Sequence, residues 1–171
     1  EEMKKHLLSK GVIIISNEEV TDLLMTGGKI TSIQTSKQSL KADEFVLAAG
    51  AWSGQISKKL GFEILMQAGK GYAINRKKST GITIPAILAE AKVAITPMNG
   101  FTRFAGTMEI TEINKQLNRT RVEAIAQAAK RYYPEIELTQ EEKESASFGL
   151  RPLSFDGLPY IGKSEHCKNL T

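Results

Sequence analysis

Ala42-Asp43-Glu44-Phe45-Val46-Leu47-Ala48-Ala49-Gly50-Ala51-Trp52-Ser53 is the stretch whose reading decides the fold. Phe45 to Ala49 is apolar without alternation, the pattern of a strand buried on both faces. It runs straight into Gly50-Ala51-Trp52-Ser53 and a short helix predicted to reach about Leu60. Small side chains at that turn let backbone approach a ligand closely, and a helix start presents free N–H groups to an anionic or polar group. On local physics alone, a plain strand-to-helix turn of an α/β protein is the commoner reading of these residues.

Upstream, Met3, Leu7 and Leu8 fall at helical spacing and Gly11 stands where a helix C-terminal glycine belongs. Three short β-rich runs follow, Val12 to Ile15, Val20 to Met25 and Lys29 to Gln34, the last two separated by the hairpin signal Gly27-Gly28. Downstream, strands are predicted near Lys70 to Asn75, Ala86 to Glu90, Val93 to Thr96 and Thr102 to Met108, punctuated by Gly81, Pro85, Pro97 and Gly100. Thr120-Arg121-Val122-Glu123 fits a capping box, and Val122, Ile125, Ala126 and Ala129 form the apolar stripe of a helix ending at Pro134. After the acidic stretch Glu141 to Glu144, a last strand is expected from about Ala146 to Leu150. The fold class is α+β, built on antiparallel and mixed sheet with helices.

A length of 171 residues is enough for a real core without staples. The single Cys167 excludes an internal disulfide, and with only His6 and His166 no metal site is expected. A reduced, cytoplasmic setting is the default. The net charge of +4 is spread among 19 acidic residues with no basic, aromatic-interleaved patch, which argues against a nucleic-acid partner. No apolar run approaches the roughly 20 residues of a membrane-spanning helix.

The second chemically informative stretch is Gly149-Leu150-Arg151-Pro152, followed by Asp156-Gly157-Leu158-Pro159 and Gly162. An arginine placed directly after a strand and fixed by proline suits a bidentate hold on a carboxylate. The alternative is a surface arginine paired with Asp156, whose own Asp-Gly step is an ordinary turn signal.

Taken in order, these two stretches resemble the family of FAD-dependent D-amino-acid oxidases, D-amino-acid dehydrogenases, glycine oxidases and sarcosine oxidases, over nearly the whole chain. The resemblance implies that Ala48, Ala49, Gly50 and Trp52 lie along FAD, that the backbone at Val20 contacts its adenine, and that Gly162 belongs to the flavin-side sequel of the arginine motif. It also implies that Arg151 grips the substrate carboxylate. Lys70-Gly71-Tyr72 resembles the Lys-Gly-Tyr that opens the substrate domain of the dehydrogenase branch, and Gly106-Thr107-Met108-Glu109 resembles its Gly-Thr-x-Glu strand end. For Tyr72 a substrate-binding and a core role stand equal, and for the second motif structural turn residues are the simpler reading.

On this resemblance, residues 1–60 are part of an FAD-binding, Rossmann-like domain, 61–147 the substrate domain, and 148–171 a return segment to the FAD domain. No Gly-x-Gly-x-x-Gly occurs. That absence, together with a start at Glu1 inside a helix-like segment, predicts an excised piece of a larger enzyme with an incomplete FAD site, inactive by itself. The implied reaction is oxidation of an amine or amino acid by hydride transfer to flavin, with no catalytic base assigned. Two alternatives are an FAD-dependent 2-hydroxy-acid or glycerol-phosphate oxidoreductase and a non-catalytic binding module. Expected partners are a small amine or amino acid and, for the parent, peripheral membrane association. Apolar surface along Val12 to Ala49 and Arg151 to Gly162 predicts self-association.

Overall fold

Ile30, Phe45, Leu60, Cys167 and Leu170 form one apolar cluster, and Tyr72, Ile74, Val93, Ile95, Phe104 and Ile125 centre a second. The computed structural model describes residues 1–171. The chain accordingly forms two compact units: Glu1–Ala48 with Gln55–Glu63 and Tyr160–Thr171, and Ala49–Gly54 with Ile64–Pro159.

In the first unit, helix α1 (Glu2–Ser9) ends as its sequence predicts, with Gly11 at φ +81°. Strands β1 (Val20–Thr26) and β2 (Lys29–Thr35) form an antiparallel hairpin, to which β3 (Ser39–Leu40) adds. Gly27 and Gly28 both have positive φ, +61° and +76°, as a two-residue turn matching the strand twist requires. Buried Asn169 ties this sheet to the chain beside it. Its carboxamide accepts from Ile30 N at 2.9 Å and donates to Ile30 O at 3.0 Å and Asp43 O at 3.1 Å.

Two strands expected here differ in the structure. Val12 to Ile15 forms no strand, and all four side chains are exposed, because no segment of the chain pairs with that backbone. Phe45 to Ala49 is not buried on both faces. It is reduced to a parallel bridge between Phe45 and Leu170, with Phe45 buried and Val46 76 % exposed. Its ladder is made only along one edge, from Phe45 N to Asn169 O, Thr171 N to Phe45 O and Leu47 N to Thr171 O, at 2.8–3.0 Å.

The second unit is a five-stranded antiparallel sheet in the order β5-β6-β7-β4-β8. Its strands are β4 (Met66–Arg76), β5 (Ala86–Leu88), β6 (Val93–Met98), β7 (Phe101–Thr111) and β8 (Ser147–Ser154). Before β4, a 3₁₀ turn (Gly50–Trp52) leads into α2 (Ser53–Lys59). Helix α3 (Arg119–Tyr132) lays Val122, Ile125 and Ala129 against one face of the sheet. Its cap is Asn118, whose side chain accepts from Arg121 N, rather than the Thr120 box expected from sequence. The box lies instead at Thr139 and Glu142, opening the short helix α4 (Gln140–Glu144) in a stretch that reads only as acidic. Five residues are too few to show a helical period.

Arg151 and Pro152 lie inside β8, not after a strand. Pro152 is compatible because β8 is the sheet's outer strand, where a missing N–H breaks no ladder. The fifth strand of the sheet thus comes from beyond residue 147, the boundary at which the sequence reading closed the substrate domain.

Candidate functional site

In strand β4, Ala68, Lys70, Tyr72, Ile74 and Arg76 are buried on one face, and the residues between them face the opposite way, Gly69 buried and Gly71, Ala73 and Asn75 partly buried. Helices α3 and α4 meet β4 on the face of Tyr72, Ile74 and Arg76. Cross-strand register places Gly69 beside Arg151, Gly71 beside Gly149, Ala73 beside Ala105 and Asn75 beside Arg103. The centre of this open face is therefore a floor of glycine and alanine. A Cβ built at Gly71 or Gly149 would meet nothing within 4 Å, so both positions look into open space. A Cβ at Gly69 would come within 2.8 Å of Leu153 Cδ1 and Met108 Sδ, which means that these two apolar side chains lie across Gly69 next to Arg151.

Met108 reaches this face through a bulge. The β4–β7 register shifts between Lys70 and Tyr72, so that two residues, Thr107 and Met108, oppose Gly71. Thr107 takes a φ of +53° and buries a hydroxyl with no hydrogen-bond partner. For a β-branched residue that conformation costs about 1–3 kcal/mol. The bulge sends Met108 to the open face and Glu109 back to the helix side.

Arg151 is exposed on the floor's margin and its guanidinium has no ion-pair partner in the chain. The alternative pairing with Asp156 is not made; that carboxylate accepts from Leu158 N at 3.0 Å in its own turn. The exposed fork carries five N–H donors that no carboxylate of the chain engages.

Tyr72 is not brought to Arg151. It lies on the buried face, 2 % exposed, and its hydroxyl donates to Glu109 Oε1. Glu109 Oε2 in turn accepts from Asn118 Nδ2 at 3.0 Å and Arg121 Nε at 2.9 Å. Burial, followed by the hydrogen bond to Glu109, pushes the Tyr72 hydroxyl up to about 12. The hydrogen bond from Tyr72, ahead of those from Arg121 and Asn118, holds the Glu109 carboxyl below its ordinary value. Because the folded value is lowered, the carboxylate's contribution to stability is present above the unfolded value of about 4.3 and is lost as pH falls below it. Glu109→Gln should therefore flatten the acid limb of the stability curve below about pH 4.3, measured by urea midpoint against pH. An unchanged acid limb would remove Glu109 from that role.

The remaining residues singled out by sequence divide between the units. Ala49, Gly50 and Trp52 belong to the sheet unit. Gly50, at φ +56°, opens the 3₁₀ turn, which packs on β8 and β4 with Ala51 buried and Trp52 46 % exposed. They therefore lie with the strand that carries Arg151. Val20 begins β1, an outer strand of the first unit's sheet; Ala48 and Gly162 also belong to that unit, and both are exposed. What sequence reading missed is the floor itself. Gly69, Gly71 and Gly149 alternate with buried residues, a period-two signal, but the signal does not say which face is left uncovered.

A family model described as FAD dependent oxidoreductase (DAO) matches residues 1–171. The chain is 33 % identical over 144 residues to a glycine oxidase of Pseudomonas putida, covering 84 % of this chain and 39 % of that protein. It is 30 % identical over 169 residues to a D-amino acid dehydrogenase of Bradyrhizobium diazoefficiens, covering 96 % and 39 %. Among solved structures it is similar to a glycine oxidase from Bacillus cereus, with a TM-score of 0.69, 26 % identity and coverage of 94 % and 44 %. A glycerol-3-phosphate dehydrogenase from Bacillus halodurans complexed with FAD gives a TM-score of 0.80 at 19 % identity, covering 99 % and 36 %, a likeness of fold. The chain spans about two-fifths of the length of the curated relatives it matches.

Proposed function

Because the chain belongs to the DAO family of FAD-dependent oxidoreductases, we propose that the protein of which it forms part oxidises a small amine or amino acid bearing a carboxylate, of the glycine or D-amino-acid type. The observation that carries this reading is Arg151: an unpaired planar fork at the edge of a glycine floor. Carboxylates are the anions that such a fork grips in two places at once.

The floor fits the family's cofactor. Cβ atoms at Gly71 and Gly149 would stand in open space, and their absence lets a flat ring approach sheet backbone. FAD, when bound, supplies the two-electron acceptor. The chain's own residues orient: Arg151 fixes the carboxylate, Met108 and Leu153 border the space beside it, and the floor limits how the rest of the substrate lies. Such positioning converts an encounter into a near-unimolecular step and accounts for many orders of magnitude in rate. In the balanced reaction the α-carbon gives up a hydride equivalent, the nitrogen gives up a proton, and the imine takes up water to yield the oxo acid and ammonia or an amine.

The test uses the full-length protein under anaerobic conditions, following bleaching of the flavin absorbance with glycine, sarcosine, D- and L-amino acids, 2-hydroxy acids and glycerol 3-phosphate. The expected result is bleaching by one or more of the amines. A protein that purifies without flavin, or that is bleached only by the hydroxy compounds, overturns the reading.

A further inference from the structure

Lys70 is a second cation beside the open face, and nothing in the proposed reaction uses it. It sits in β4 between floor residues Gly69 and Gly71 but points the other way, with only 1 % of its surface exposed. Its Nζ donates to Asn114 Oδ1 at 2.6 Å and to Gln116 O, and stands 4.4 Å from the centre of the Phe148 ring. An amide oxygen, a backbone carbonyl and an aromatic face thus surround the Lys70 ammonium.

No carboxylate forms an ion pair with it. The acid nearest in register, Glu109, is its cross-strand neighbour, and that carboxylate is already matched by Arg121. The side of the sheet beneath the floor therefore holds one buried positive charge in excess, lodged among neutral partners. Buried charges are costly and are ordinarily paired. Their field is also screened far less by salt than that of a surface group.

We propose that Lys70 acts through the sheet as a fixed positive charge that, together with Arg151, holds a carboxylate ligand on the open face. The proposal rests on the reading of Arg151's site given above and adds a residue that never touches the ligand, so Lys70 is a positioning residue. Across a one-strand-thick sheet, at about 10 Å and an effective dielectric of about 20, one unit charge changes the affinity for a monoanion by about tenfold.

The test compares acetate with acetamide, its neutral analogue, binding to the full-length flavoprotein and read from the perturbation of flavin absorbance. In Lys70→Gln, which keeps hydrogen-bonding capacity toward Asn114 and Gln116 but not the charge, acetate affinity should fall about tenfold while acetamide affinity holds. Lys70→Arg should restore acetate binding. Equal weakening of both probes would mean that Lys70 only clamps the loop at Asn114 and Gln116, and overturns the proposal.

A second measurement needs no change at Lys70. Arg151→Ala should still prefer acetate over acetamide by about tenfold. A wild-type protein with a preference that vanishes entirely in Arg151→Ala overturns the role of Lys70 alone; a wild type with no preference at all overturns the Arg151 site on which it rests.

Discussion

Arg151→Ala in the full-length protein should lower kcat/KM for an amino acid by about 10²–10⁴-fold. Two charge-assisted hydrogen bonds to a carboxylate contribute about 1.5–3 kcal/mol each, and each 1.4 kcal/mol is a factor of ten. The loss should be specific in three ways. A substrate or ligand without a carboxylate should be nearly indifferent to the change. Arg151→Lys should recover only part of the rate, because an ammonium cannot match both carboxylate oxygens with one planar fork. Thermal stability should move by no more than about 0.5 kcal/mol, since the side chain is exposed and unpaired on the outer strand of its sheet. Steady-state kinetics on the three proteins decide it: a drop of less than about threefold with Arg151→Ala would take the carboxylate away from this residue.

Gly106→Ala should destabilise the sheet unit by about 3 kcal/mol, lowering its Tm by roughly 10–20 °C. The added Cβ would lie 2.5 Å from Lys92 O and 3.0 Å from Val93 Cα. Both are backbone atoms of the β6 side, and Val93 is fully buried, so neither can swing aside. Gly71→Ala is the matched control. It adds the same methyl one residue from Tyr72, the cross-strand partner of Gly106, but onto the open face, where nothing stands within 4 Å. Its Tm should stay within a few degrees of the wild type. In the full-length protein the same methyl should still impair substrate oxidation, because it rises from the floor. Calorimetry of the two variants is the measurement, and a Gly106→Ala protein as stable as Gly71→Ala would show that β6 and β7 can separate without cost.

These pairs of residues show where sequence reading ends. The hairpin at Gly27-Gly28 was legible because a two-residue turn that needs positive φ twice leaves few alternatives to glycine. The helix over Val122 to Ala129 was legible because its apolar stripe repeats through several turns. Cap identity was not: Asn118, Thr120 and Thr139 are all good caps, and the one used depends on where tertiary packing begins the helix. Phe45 to Ala49 failed for a related reason. An apolar run reports that burial is favourable, while which faces are covered depends on the segments that pair with it. Arg151 was legible as a residue suited to carboxylates, but its freedom from Asp156 was not.

Composition, turn chemistry and local period thus suffice for most of the element types, the α+β class, the absence of a disulfide within the chain and the prominence of Gly149 to Pro152. They are properties of neighbouring residues, so neighbouring residues determine them. The separation of Tyr72 from Arg151 belongs to the tertiary structure, as does the placing of Lys70 beneath a floor whose upper side holds Gly71 and Gly149. Two strands 70 or more residues apart must first pair in one register, and a one-residue slip would exchange every side chain between the faces. Only that long-range register puts the buried lysine on one side of the sheet and the free arginine on the other.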